Sequence, residues 1–254
     1  MAQLITLTTD FHGSYYVGEM KGVVRKVNPL ADVIDITHSV SRHNIIEGAF
    51  ILSRIWRHFP KNTVHVAVVD PGVGSQRKAV AVETEYCMLI GPDNGVLRWA
   101  LRGQEVVRVV ELDGKIVQER AGLSDLSLTF HGRDVFAPAA ALISKGADVD
   151  GLGRRVDDIG KLDVKEDMVV YVDSFGNIVT TVAVEMVAGK KAVVRHGGKN
   201  YDASTAITYS DLVEGGLVVL IGSHGLVEVG VNRGNAAERL GVKVGDAIGV
   251  EYVD

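Results

Sequence analysis

The chain has 254 residues, 46% of them hydrophobic and 23% charged, which suits one or two compact domains with a substantial core. A net charge of −5 argues against a general nucleic-acid surface, and no segment is long and apolar enough to span a membrane. One cysteine, Cys87, excludes an internal disulfide and fits a reducing, cytoplasmic compartment.

The N-terminus, MAQLITLTTD, has no basic run before its apolar residues and does not read as a signal peptide. Residues 3–9 alternate and are β-branched, which predicts a first strand ending at Asp10. Apolar spacing predicts a helix over 16–27, stopped at Asn28-Pro29, then a strand over 31–37. A second helix is expected over 45–59, ended by Pro60. Residues 64–69 (VHVAVV) read as a buried strand that stops at Asp70-Pro71-Gly72. Further strands are expected at 78–83, 87–90 and 106–110, with a short helix near 96–101 and a polar stretch running to Thr129. A helix follows over 135–144, with Pro138 in its first turn.

Alternation of strands and helices predicts a mostly parallel sheet covered on both faces, in an α/β domain over 1–150. Residues 151–167 are charged and aperiodic and read as a linker. From Met168 onward, short strands parted by Gly, Asn and Asp turns predict a smaller all-β, barrel-like domain over 168–254. A helix at 235–240 is its one exception.

Strand-terminal acids mark where chemistry can sit. In an α/β sheet, ligands gather beyond the carboxyl ends of strands, so Asp10 and Asp70 can share a crevice. One carboxylate accepts two vicinal hydroxyls side by side, as a ribose presents them, although Asp10 can equally cap a helix. Arg77 follows Asp70 closely enough to fold back onto it as a charge-assisted pair; a turn-capping Asp beside a surface Arg is the plainer alternative. His131, in TFHGRD, can hydrogen-bond a water or cap the helix that follows. Asp173, Phe175 and Asn177 share a turn and can grip a purine and an amine, yet they are also common turn formers. His12, His38, His43, Asp10 and Asp35 crowd the first 45 residues. No HxH, HExxH or CxxC spacing organises them, which argues against a catalytic metal. Neither GxGxxG nor GxxxxGK[ST] occurs, so dinucleotide and P-loop readings fail.

Taken in order, TTDFH, ITH (36–38), EGAF (47–50), VHVAVVDPGVGSQR (64–77), GPDNG (91–95), TFHGRD (129–134), DSFGN (173–177), GSHG (222–225) and VNRGNAA (231–237) resemble the S-adenosyl-L-methionine (SAM) hydroxide adenosyltransferases. These are SAM hydrolases related to the SAM-dependent fluorinase and chlorinase. The resemblance covers nearly the whole chain. It implies an α/β domain followed by a β-barrel, a homotrimer with sites between subunits, and attack of a water-derived nucleophile on C5′ of SAM to give adenosine and L-methionine. SAM is then substrate, with no separate cofactor. By the same resemblance Asp70, Arg77 and His131 position the nucleophile and Asp10 holds the ribose. Asp173 and Ser223 hold the methionine end, and Phe175 and Asn177 the adenine, with Glu228 and Val231 also at the substrate.

The halogenating relatives carry other residues at Asp70, Arg77 and His131, and the fluorinase has a hydroxyl residue where this chain has Gly132, which favours a hydrolase. His224 stands where a halogenase-like chain has an arginine on the methionine carboxylate. The competing expectations are a chlorinase-like halide adenosyltransferase, a SAM or adenosine sensor without turnover, and a nucleoside hydrolase. The last would need several acids for calcium, and TTDFHGSYY offers one.

Overall fold

The computed structural model describes residues 4–183, 185 and 187–253. It divides into two units, one ending at Asp163 and one beginning at Val164.

The first unit holds β1 (Leu4–Thr9), α1 (Tyr16–Val27), β2 (Asp32–Thr37), α2 (Ile45–Ile55), β3 (Val64–Val68), β4 (Ala79–Thr84), β5 (Met88–Pro92), β6 (Val106–Leu112), α3 (Gly114–Ala121), α4 (Ala137–Ser144) and β7 (Gly153–Val156). Its sheet runs β2-β1-β3-β5-β4-β6-β7. The first four strands pair in parallel, and every pairing from β5 onward is antiparallel. The sheet is therefore mixed rather than mostly parallel. The reason is local: β4 and β5 are joined by residues 85–87, and three residues cannot make the crossover a parallel pair needs.

Both faces of this sheet are covered. β3 shows how: Val64, Val66 and Val68 pack with α1 and α4 residues such as Met20 and Ala140, while Ala67 and Val69 pack with Leu52 of α2. That period of two lets one short strand serve two cores. Three elements differ from the sequence expectation. The helix expected to reach residue 59 turns 3₁₀ at Trp56–His58. α3 lies inside the stretch read as polar, capped by Asp113, whose side chain accepts from the Lys115 and Ile116 amides, and closed by Gly122 at φ 67°. β7 forms inside the aperiodic stretch and pairs with β6.

The second unit holds β8 (Val169–Val172), β9 (Ile178–Thr180), β10 (Lys191–His196), β11 (Lys199–Thr205), β12 (Leu217–Ile221), β13 (Val227–Val231), α5 (Ala236–Leu240) and β14 (Gly249–Tyr252). Its sheet order is β14-β10-β11-β12-β13-β9-β8. The two end strands meet again through a bridge between Met168 and Ala247 and amide bonds from Val169 to Asp246 and from Ile248 to Asp167. The sheet thus curls into a barrel-like form around Val169, Ile178, Val194, Val219, Val229 and Ile248. α5 is capped by Asn235, which accepts from the Glu238 amide at 2.9 Å.

Candidate active site

In the first unit the strand ends build the site. β1 and β3 are parallel neighbours in a register that pairs Thr9 with Val68, so Asp10 and Asp70 leave the sheet at the same edge. Asp10, Asp70 and His131 line one cavity of about 740 Å³. Phe11, Tyr16 and Phe130 form its aromatic wall, with ring centroids 4.9 to 5.8 Å apart.

Asp70 and Arg77 make a two-pronged pair. Arg77 Nε donates to Asp70 Oδ1 at 2.9 Å, and Nη2 donates to Oδ2. The turn after β3 brings them together: Ser75 Oγ donates to the Gly72 carbonyl and accepts from the Arg77 amide, closing the loop back onto Asp70. Both side chains are more than nine-tenths buried, so the pair is shielded from salt and water. The same Nη2 also lies 2.8 Å from Nδ1 of His131.

That contact fixes the histidine. A guanidinium only donates, so Nδ1 must accept and the ring's one proton sits on Nε2. Burial pushes the His131 pKa down, and the Arg77 charge pushes it further, so the ring is neutral at pH 7. His131 ends the TFH segment at the head of a π-helical turn, Gly132–Phe136, that leads into α4. Such single-turn π-helices recur at functional sites. Gly132 is close-packed: a Cβ there would lie 3.0 Å from Phe130 and 3.3 Å from the Met20 sulfur.

Asp10 Oδ2 accepts the backbone N–H of His43 at 2.8 Å. Among the described residues no three His, Cys, Asp or Glu side chains come together in a group that could hold a metal ion.

In the second unit the expected residues fall into two neighbouring groups. Asp173 organises the turn between β8 and β9. Its Oδ1 accepts the amides of Phe175 and Asn177 at 2.9 and 2.8 Å, and its Oδ2 accepts Nδ2 of Asn177 at 2.9 Å. Phe175, Asn177 and Val231 line a hollow of about 450 Å³ with Tyr209 and Arg233. Phe175 is 76% exposed, a large ring offered to whatever enters.

Glu228 stands apart from that hollow. It is buried, accepts from the Tyr209 hydroxyl at Oε1, and lies 2.9 Å from His224 Nε2 at Oε2. Burial alone would raise its pKa, but the bonds from His224 and Tyr209 outweigh burial and hold it below the usual range. Tyr209 is pushed up by burial and by Glu228. His224 Nδ1 accepts the Leu226 amide at 3.1 Å, so both ring nitrogens are engaged within the barrel, and Ser223 is exposed beside it. Tyr209 and the aromatic wall escaped the sequence reading; Tyr209 lies 32 residues from Asn177, with which it lines the hollow, and carries no local signal.

The whole chain matches known proteins along the same two units. A family model described as the SAM hydroxide adenosyltransferase N-terminal domain matches residues 5–153, and one described as the C-terminal domain matches 167–249. An (R)-S-adenosyl-L-methionine hydrolase of Methanocaldococcus jannaschii is 36% identical over 98% of this chain and 96% of that protein. A fluorinase of Nocardia brasiliensis is more distant, 22% identical over 92% of each. The crystal structure of an uncharacterized conserved protein from Thermotoga maritima superposes with a TM-score of 0.87 at 34% identity, covering 97% of this chain and 100% of that one. The chain belongs to the SAM hydroxide adenosyltransferase family.

Proposed function

We propose that this protein hydrolyses SAM to adenosine and L-methionine, with Asp70, Arg77 and His131 presenting the water-derived nucleophile. The observation that carries the reading is the bond from Arg77 Nη2 to His131 Nδ1. It commits the histidine to a neutral Nε2–H form on the wall of a cavity that also holds Asp10 and Asp70. A neutral Nε2–H donates to an oxygen nucleophile and orients its lone pair; it does not take a proton from it.

The chemistry asks for little else. Oxygen bonds to C5′, the C5′–S bond breaks, and its electron pair stays on sulfur as the neutral thioether of methionine. The leaving group needs no acid, and water's surplus proton goes to solvent. Holding the nucleophile in line contributes roughly 7–11 kcal/mol at best. The aromatic wall of Phe11, Tyr16 and Phe130 supports the reading by giving the cavity an apolar side against which a nucleoside can pack.

In this reading Asp10 accepts the ribose hydroxyls. Phe175, Asn177 and Val231 take the adenine, Asp173 and Ser223 the methionine end, and Glu228 shapes that region through Tyr209 and His224. The reading carries the further expectation of a homotrimer with each site completed by a neighbouring subunit, to be tested by light scattering on the eluted protein.

The function is tested by incubation with each sulfonium epimer of SAM separately, because the relative's name specifies (R). Runs with and without chloride and chelator are resolved by chromatography. Equal amounts of adenosine and methionine, indifferent to chloride and chelator, support the reading. A 5′-chloro nucleoside would make the protein a halide adenosyltransferase; a retained nucleoside without turnover would make it a sensor.

A further inference from the structure

The ITH segment at 36–38 has no part in the chemistry above, yet its histidine reaches into the site's foundation. Thr9, the last residue of β1, is fully buried, and its Oγ1 lies 2.9 Å from Nδ1 of His38. The same Oγ1 accepts the Phe11 amide at 3.2 Å. His38 Nε2 lies 3.0 Å from Asp35 Oδ1, off the ideal hydrogen-bond line, and Lys21 Nζ meets the other Asp35 oxygen at 2.5 Å. A carboxylate only accepts, so it draws the ring proton to Nε2 and leaves Nδ1 to accept from the Thr9 hydroxyl. The result is one directed chain, Phe11 amide to Thr9 to His38 to Asp35, and Asp10 sits inside its first link.

The two loops above β1 and β2 hang on this chain. His12 donates its amide to the His38 carbonyl at 2.6 Å, Val40 donates to the Thr9 carbonyl at 3.3 Å, and His43 donates to Asp10 Oδ2 at 2.8 Å. His12 and His43 both sit in the left-handed region, at φ 53° and 63°, a conformation that L-residues rarely adopt. Such backbone persists only where its surroundings over-determine it. The exposed Lys21–Asp35 pair adds little on its own. The Thr9–His38 bond, anchored on the fully buried Thr9, is the fixed point at the base of both loops.

We propose that His38 is a positioning residue that acts through Thr9 to hold Asp10 in its substrate-accepting pose. This rests on the reading of Asp10 as the ribose-holding acid. The ribose is gripped alike before and during bond breaking, so loosening Asp10 weakens binding and leaves the chemical step unchanged.

The test is adenosine affinity by calorimetry together with kcat and KM for SAM, in Thr9→Val, His38→Ala, their double variant, Thr9→Ser and Asp10→Asn, with melting curves to confirm folding. We expect Thr9→Val and His38→Ala each to weaken adenosine binding and raise KM about 10-fold, with kcat within about 2-fold of wild type. The double variant should be no weaker than either single, because both cut one chain. Thr9→Ser, which keeps the hydroxyl, should bind within about 2-fold of wild type and so guards against mere misfolding of Thr9→Val. Wild-type affinity in His38→Ala, a kcat loss at constant KM, or multiplying effects in the double variant would overturn the proposal. Failure of the underlying reading is separately visible: Asp10→Asn would then bind adenosine as tightly as wild type, and the proposal would fall with it.

Discussion

Arg77 donates through Nη2 to Nδ1 of His131 across 2.8 Å while its Nε and Nη2 grip both oxygens of Asp70. One guanidinium thus sets the pose of a carboxylate and the proton position of an imidazole. Lysine carries the charge but not the fork, so it cannot serve both partners. Arg77→Lys should lower kcat for SAM hydrolysis about 100-fold, in line with a 1 Å misplacement of catalytic groups, and leave KM nearly unchanged. Steady-state kinetics check this. An equal loss in KM would mean that Arg77 serves substrate binding instead.

The acid limb of the pH profile follows from the same contact. His131 is held below the ordinary histidine pKa, first by burial and then by Arg77. The neutral form therefore persists to more acidic pH than a free imidazole allows. Protonation at Nδ1 would remove the acceptor that Arg77 uses, so activity is lost as pH falls through the depressed pKa. The midpoint of the acid limb of log kcat against pH should lie on the acid side of an ordinary histidine's. A bend above 6.5 would show that the histidine is not held neutral.

A second buried histidine governs stability rather than rate. His65 is fully buried on β3, with Nδ1 2.8 Å from Thr6 Oγ1, and burial lowers its pKa to about 4. The unfolded chain takes up that proton near 6.5 and the folded chain resists it to about 4. Folding stability is thus complete above pH 6.5, falls as pH drops, and levels off below 4, with a total loss of about 3 kcal/mol. Urea melts between pH 7 and 4 measure this, and His65→Asn should flatten the dependence in that window.

In the barrel unit, Gly176 carries the turn that Asp173 organises. It sits at φ 84°, and a Cβ there would lie 1.9 Å from Asn235 Oδ1, the cap of α5. Gly176→Ala combines left-handed strain with a displaced cap, together about 2–3 kcal/mol. Thermal melts should show that loss, and adenosine binding should weaken because Phe175 and Asn177 flank the position. An unchanged melt would mean that the turn relaxes freely.

The local parts of this molecule were legible in its sequence. β1, α1, α2, β3 and α5 follow from apolar spacing and stop signals, and the Asp-Pro-Gly turn left open whether Arg77 folds back onto Asp70 or stays on the surface. α3 was missed because GKIVQERA has few apolar residues, although Asp113 and Gly122 bracket it as caps. The antiparallel half of the first sheet was missed because strand direction depends on connection length, which apolar runs do not report. His131 joins Arg77 from 54 residues away, and Tyr209 joins Glu228 from 19. Neither pairing has a local pattern. Only the ordered set of motifs, read as a family resemblance, gave His131 and Glu228 their expected roles, and it gave none to Tyr209 or His38.

In the proposed reaction, water's oxygen ends on C5′ of the nucleoside. Hydrolysis of SAM in ¹⁸O-enriched water, followed by mass spectrometry of both products, tests it most directly. One heavy oxygen is expected in adenosine, at the 5′ position, and none gained by methionine. Label in methionine instead, or unlabelled adenosine, would mean that the bond cleaved is not C5′–S by water, and the role given to Asp70, Arg77 and His131 would be contradicted.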